Sequence, residues 1–90
     1  MNELTQLLKT LSGSTRLRIL QQLLEEPDYT VNLSKKLNLE SSIVTHSLKK
    51  LEKQGLVHSY RKGKLKYYKI KNKEILRSIF VNLNKLNNKR

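Results

Sequence analysis

The chain has 90 residues, which is long enough for one domain with a single hydrophobic core. It carries 19 Lys and Arg against seven Asp and Glu, a formal net charge of +12, and no cysteine, which excludes disulfides and thiolate metal sites. It contains neither a run of 18 apolar residues nor a signal-peptide pattern, so we expect a cytoplasmic protein without a membrane partner.

The positive charge is concentrated in the C-terminal part of the chain. Residues 57–90 hold eleven basic side chains and one acidic side chain, whereas residues 1–56 hold eight and six. Such asymmetry indicates a polyanionic partner, with nucleic acid the first candidate. The alternative is that the basic segment is a tail that serves only solubility.

Two helices are predicted before a break at Pro27. Residues 2–11 place four leucines on one face, Leu4, Leu7, Leu8 and Leu11. A second helix is predicted over residues 15–25, and it ends before Pro27 because proline cannot continue a helix.

A short third helix is predicted over residues 32–37. It follows an extended piece at residues 29–31, in which Thr30 is a candidate N-cap. Asn38 then stands where a left-handed residue is needed, and asparagine is the next choice after glycine.

The helix predicted over residues 40–54 has two chemically different faces. Val44, Leu48 and Leu51 form a narrow apolar stripe, and Gly55 provides the left-handed residue that ends the helix. The opposite face carries short polar and basic side chains: Ser41, Ser42, Thr45, His46, Lys49 and Lys53. With the short helix before it, this segment predicts a helix-turn-helix whose second helix, the recognition helix, enters a DNA major groove.

Two strands are predicted after the recognition helix, over residues 56–60 and 65–70. Residues 61–64 join them as a hairpin in which Gly63 supplies a positive φ. Three of these four residues are basic, which is typical of a phosphate-binding wing.

A final helix is predicted over residues 73–86. Its wide apolar stripe can cap the core, and it can also bury itself against a second subunit together with the first helix. The predicted dimer interface comprises Leu4, Leu7, Leu8, Leu11, Ile79, Phe80, Leu83 and Leu86.

The candidate DNA contacts divide into two groups. Base contacts are expected from Ser41, Ser42, Thr45 and His46, whose hydroxyl and imidazole groups accept or donate to several bases. Contacts to the DNA backbone or minor groove are expected from Lys49, Lys50, Lys53, Arg61, Lys62, Lys64 and Lys66.

Other side chains allow two interpretations each. Ile43 either packs on the third helix or touches a thymine methyl group, and Lys35 and Lys36 either contact flanking phosphates or lie on an exposed face. The tyrosines of the two strands, Tyr60, Tyr67 and Tyr68, are expected to be sheet and core aromatics, and His58 is expected to be structural or exposed.

The chain resembles the ArsR-type winged helix-turn-helix repressors over about residues 11–70. The similar segments are LSGSTRLRIL (11–20), LSKKLNLESSIVTHSLKKLEKQGLV (33–57) and YRKGKLKYYKI (60–70). The resemblance implies a dimer that pairs through its first and last helices and binds a palindromic operator in double-stranded DNA. Metal-sensing members share a Cys-Val-Cys stretch where this chain has Tyr29-Thr30-Val31, and others use Asp and His on the last helix, which residues 73–90 lack. No metal or cofactor is therefore expected.

The sequence thus predicts one domain over residues 1–90, mainly α with a small β-hairpin: a winged helix-turn-helix of five helices and a two-stranded wing. The predicted function is a dimeric, sequence-selective regulator of transcription that is nucleoid-associated when bound to DNA. The alternative is an architectural protein that coats DNA without sequence preference. An enzyme is not expected because no catalytic constellation is found, and RNA binding is disfavoured because no aromatic-rich sheet surface is evident.

Overall fold

The structure, a computed structural model, describes the backbone of residues 14–88 and the side chains of residues 15–81. These residues form four helices and a three-stranded antiparallel sheet of order β1-β3-β2. The elements in chain order are α1 (Ser14–Glu25), β1 (Asp28–Tyr29), α2 (Thr30–Leu37), α3 (Ser41–Lys53), β2 (Val57–Lys62), β3 (Leu65–Ile70) and α4 (Lys73–Asn88). The helix predicted over residues 2–11 lies outside the described residues.

One hydrophobic core joins the helices to one face of the sheet. The fully buried side chains come from α1 to α4 and from β2: Ile19, Leu20, Leu23, Leu33, Val44, Leu48, Leu51, Val57 and Leu76. Tyr68 and Ile70 of β3 close the core from the sheet side. The apolar stripe predicted for α3 is therefore confirmed, and it fixes which face of α3 points outward.

The prediction of a two-stranded sheet was wrong, because Asp28 and Tyr29 form a third strand. β1 pairs with β3 in antiparallel register, Asp28 opposite Tyr68 and Tyr29 opposite Tyr67. A strand of two residues has no periodicity of its own. Only its pairing with the hairpin, far along the chain, makes it a strand.

The prediction of Thr30 as an N-cap was also wrong, because Thr30 is the first residue of α2. Tyr29 occupies the cap position in an extended conformation and makes no side-chain capping bond. The buried Asp28 orders this start instead: its carboxylate accepts from the Tyr29 N–H at 2.8 Å and from Asn32 Nδ2 at 2.9 Å.

The turn between α2 and α3 is fixed by local and long-range bonds. Asn38 is left-handed (φ 54°, ψ 51°), as predicted, and the Leu39 N–H donates to the Ser34 carbonyl at 3.0 Å. The Ser34 hydroxyl donates to the Leu39 carbonyl, and the Arg18 guanidinium of α1 donates to the Leu37 carbonyl at the end of α2. These bonds hold α3 at a defined angle to α2.

The hairpin differs from its predicted bounds. β2 continues to Lys62, so Arg61 and Lys62 are strand residues and only Gly63 and Lys64 form the loop. Gly63 has φ +64° at the first loop position, where two-residue hairpins of type II′ place glycine. Lys62 opposite Leu65 is the last pair of the ladder, and it leaves a loop of two residues.

Candidate nucleic-acid interface

The outward face of α3 is built from polar and basic side chains. Ser42, His46, Lys49 and Lys53 are exposed, and the helical period places them opposite the buried stripe. At 1.5 Å per residue the helix is about 20 Å long, which suits a major groove. We call these four side chains the recognition face.

Two predicted base-contacting residues lie at the margin of that face. Thr45 is only half-exposed, on the flank that also carries Glu52. Ser41 is exposed, but its hydroxyl lies 3.4 Å from that of Ser34, at the turn that leads into α3. The structure therefore gathers Ser42 and His46 at the centre of the exposed surface and leaves Ser41 and Thr45 beside it.

The only acid within α3 is directed away from the recognition face. Glu52 is half-buried and its Oε2 accepts a hydrogen bond from the Ser59 hydroxyl of β2 at 2.9 Å. This bond connects the recognition helix to the hairpin. It also removes a carboxylate from the surface that a phosphate backbone would approach.

The basic side chains of the hairpin lie on both faces of the sheet. Arg61 and Lys66 are directly opposite each other, on the face where Ser59 meets α3, while Lys62 lies on the outer face and Lys64 in the loop. Like charges directly opposite each other destabilise a sheet. An anion between Arg61 and Lys66 would relieve that repulsion, which makes the pair a suitable phosphate site.

The candidate backbone contacts are available to a ligand. Among the described side chains, none of these seven cations takes part in an ion pair: Lys49, Lys50, Lys53, Arg61, Lys62, Lys64 and Lys66. All seven are exposed. Their positive charge is therefore free to act on a polyanion.

Lys36, by contrast, is used within the fold. Its Nζ lies 3.1 Å from Asp28 Oδ2 and 3.3 Å from Glu26 Oε1. Hydrogen bonds to Asp28 and then to Glu26 raise the pKa of the Lys36 ammonium above its ordinary value. Of the two interpretations left open for Lys36, the structure supports a structural role.

A row of three tyrosines, which the sequence pattern did not predict, crosses the outer face of the sheet. Tyr67 meets the Tyr29 ring edge-on at 5.3 Å and stacks with the Tyr60 ring at 5.8 Å. Lys62 Nζ lies 5.7 Å from the Tyr67 ring centre, and Lys69 Nζ lies 5.8 Å from that of Tyr60. The rings contact one another and these lysines, and these contacts stabilise the hairpin.

The remaining predicted features fall in different places. Tyr68 belongs to the core, as predicted, and His58 is exposed on β2 opposite Lys69. Ile79 and Phe80 are half-buried against the core, whereas the side chains of the other six predicted dimer residues lie outside those described.

Among the described residues, no three His, Asp or Glu side chains cluster closely enough to hold a metal ion. Within residues 14–88, no helix combines the length and the apolar character needed to cross a bilayer.

Comparisons with known proteins agree with this geometry. Residues 13–59 match the family described as bacterial regulatory protein, arsR family. The cadmium resistance transcriptional regulatory protein CadC of Listeria innocua serovar 6a is 35% identical over 77 residues, which cover 84% of this chain. The aligned region spans 65% of the length of that curated relative.

Solved structures show the same fold. Reduced HlyU from Vibrio cholerae N16961 superposes with a TM-score of 0.80 at 26% identity, over 97% of this chain and 90% of HlyU. The homodimeric winged helix-turn-helix DNA-binding domain of a possible ArsR-family transcriptional regulator from Mycobacterium bovis gives 0.82 at 21% identity, over 98% and 82%. The proteins of this family are regulators of transcription and not enzymes. The chain belongs to the ArsR family of bacterial regulatory proteins, DNA-binding transcription regulators with a winged helix-turn-helix.

Proposed function

We propose that this chain is a dimeric regulator that binds double-stranded DNA with sequence selectivity at a palindromic operator. In this proposal α3 enters the major groove and the hairpin lies on the backbone or minor groove. The observation that carries it is the recognition face, an exposed polar and basic surface whose helix is bonded to a basic hairpin through Glu52 and Ser59.

Within this surface we assign base contacts mainly to Ser42 and His46. Both lie at the centre of the exposed face and in the first half of α3, and the N-terminal residues of a recognition helix are those that reach base edges. Ser41 and Thr45 are proposed to contact the DNA from the margin of the face. Hydroxyl groups distinguish bases weakly, so the two-fold symmetry of a dimer would supply part of the selectivity.

Alanine substitutions separate base contacts from backbone contacts. With Ser42 and His46 both changed to alanine, affinity of the dimer for the preferred duplex should fall about 30-fold or more, because each protomer loses two hydrogen bonds and each of these four bonds is worth about 0.5–1.5 kcal/mol. Affinity for a random duplex should stay unchanged. The measurement is competition binding of the two duplexes at one salt concentration.

The matched variant changes Arg61 and Lys64 to alanine. It should weaken the preferred and the random duplex in parallel, and it should reduce the salt dependence by about one unit for each phosphate that is no longer neutralised. The opposite pattern, with the hairpin variant losing only selectivity, would mean that the roles of helix and hairpin are exchanged. A wild-type ratio of preferred to random affinity near one would support the architectural alternative and refute the regulator.

We further propose that α4 forms the dimer interface. Supporting observations are the half-buried Ile79 and Phe80, the exposed Ile75 and Val81, and an open groove between α1 and α4 lined in part by Leu24, Phe80 and Val81. The M. bovis domain of the same fold is homodimeric.

A charge at Val81 tests this interface. Val81 is 51% exposed in the single chain, so Val81→Asp should leave the monomer folded but weaken dimerisation by about 100-fold or more, since an unpaired carboxylate would be buried in the interface. Val31→Asp on α2, a valine that is 53% exposed, is the matched control and should remain dimeric. Sedimentation equilibrium measures both. An unchanged dimer in the Val81 variant would reject α4 as the interface.

We also propose that this regulator does not respond to soft metal ions through the residues of this chain. Its sequence contains no cysteine, and Tyr29, Thr30 and Val31 stand where metal-sensing members are expected to have thiolates. The cadmium resistance named for CadC is therefore not carried over to this protein.

A further inference from the structure

Ile43 is an apolar side chain on an otherwise polar surface of the recognition helix. Its exposed fraction is 43%, whereas that of its neighbour Val44 is zero. Ile43 belongs neither to the buried core nor to the partly buried side chains packed against it. A large part of the Ile43 side chain is therefore open to solvent and available to a ligand.

The position of Ile43 places it beside the proposed base contacts. It lies in the first turn of α3, about 100° around the helix axis from Ser42 and about 60° from His46. Lys50, two turns further along, lies within about 20° of Ile43 and is exposed and free of ion pairs among the described residues. Ile43 therefore lies on the exposed side of α3 together with the proposed base contacts and with Lys50, a proposed phosphate contact. It is in the N-terminal turn, the part of a recognition helix that reaches the bases.

The groove offers one kind of apolar group to such a side chain. The edges of the bases in the major groove carry hydrogen-bond donors and acceptors, together with the C5-methyl group of thymine. A 5-methylcytosine presents a methyl group at the same ring position. Phosphates and the polar groups of the base edges offer an isoleucine no apolar contact. A methyl group does offer one, because the contact removes apolar surface of both groups from water.

We propose that Ile43 is a specificity-determining residue that contacts a pyrimidine C5-methyl group in each half-site. This inference rests on the proposed function, because it requires α3 to lie in the major groove. Burial of one methyl group corresponds to about a threefold to fivefold change in affinity. Two half-sites in a dimer multiply this to about tenfold to 25-fold.

Replacing thymine by uracil tests the contact, because it removes the methyl group and leaves every hydrogen-bonding group in place. In the preferred duplex, each symmetric pair of thymines is replaced in turn, and each cytosine pair is replaced by 5-methylcytosine. For the wild-type dimer, one thymine replacement should weaken binding about tenfold to 25-fold. Alternatively, one cytosine methylation should strengthen binding by the same factor, which would identify 5-methylcytosine as the source of the methyl group.

Two variants complete the experiment. Ile43→Ala should bind duplexes with and without the methyl group at the identified pyrimidine equally. Val31→Ala on α2, a valine that is 53% exposed and lies outside the proposed interfaces, should respond as the wild type does. Selective binding without any methyl effect, or a methyl effect that persists in Ile43→Ala, would overturn the inference and leave the regulator intact. Equal affinity for preferred and random duplexes would instead refute the proposed function, and this inference with it.

Discussion

Raising the monovalent salt concentration from about 50 to about 200 mM is expected to weaken binding of the dimer to duplex DNA by about 10³–10⁵-fold. Each protomer carries seven exposed cations without ion pairs among the described residues, on α3 and on the hairpin. A dimer can therefore make the 6–10 phosphate contacts for which this weakening is typical. Each contact releases condensed counterions, and added salt reduces the free energy gained from that release.

The salt titration has an internal control in the charged residues of the sheet. Lys66→Ala should make the plot of log affinity against log salt shallower by about two units, one for each protomer of the dimer, because Lys66 faces the side on which the hairpin meets α3. Lys69→Ala removes the same charge from the outer face at the end of β3 away from the hairpin loop, opposite His58, and should change the slope less. An affinity that is independent of salt would contradict the electrostatic part of the proposal.

The features that the sequence predicted correctly are local ones. The apolar stripe of α3 follows from helical spacing, and the positive φ angles of Asn38, Gly55 and Gly63 follow from the few residue types that tolerate them. Each depends on a window of a few residues. Local chemistry was therefore sufficient to locate the helix-turn-helix and the tight turn of the hairpin.

The features that the sequence did not predict depend on contacts between segments that are far apart in the chain. Tyr29 joins the row with Tyr60 and Tyr67 only because β1 pairs with β3 in one particular register. The expectation that the sheet has no aromatic-rich surface was wrong for this reason. The rings nevertheless pack against one another, so we assign the row to the rigidity of the hairpin.

The exposure and bonding of the candidate DNA contacts could also be predicted only in part from the sequence. Helical spacing placed Ser42 and His46 on the exposed face, but it could not show that Thr45 is half-buried or that Glu52 is bonded to Ser59. Strand alternation divides the basic residues of the hairpin between two faces because β2 continues to Lys62, two residues beyond its predicted end. Assigning roles to exposed side chains requires the packing of their neighbours.

If a two-fold symmetric dimer binds DNA with sequence selectivity, its affinity for duplexes that contain the operator should greatly exceed its affinity for other duplexes. Specific binding by such proteins typically exceeds their non-specific binding by about 10³–10⁷-fold at physiological salt. We expect this protein near the lower end of that range, because few side chains are proposed to contact bases and the Ser42 hydroxyl distinguishes bases weakly. Two recognition helices related by a two-fold axis should lie about 34–36 Å apart, one turn of B-DNA.

Selection of bound duplexes from a random pool measures selectivity, symmetry and spacing together. We expect an inverted repeat whose half-sites are centred about 10 base pairs apart or at a multiple of that distance, bound about 10³-fold more tightly than the starting pool. Recovery of an unenriched pool, with selected and random duplexes bound equally at the same salt concentration, would contradict sequence-selective binding.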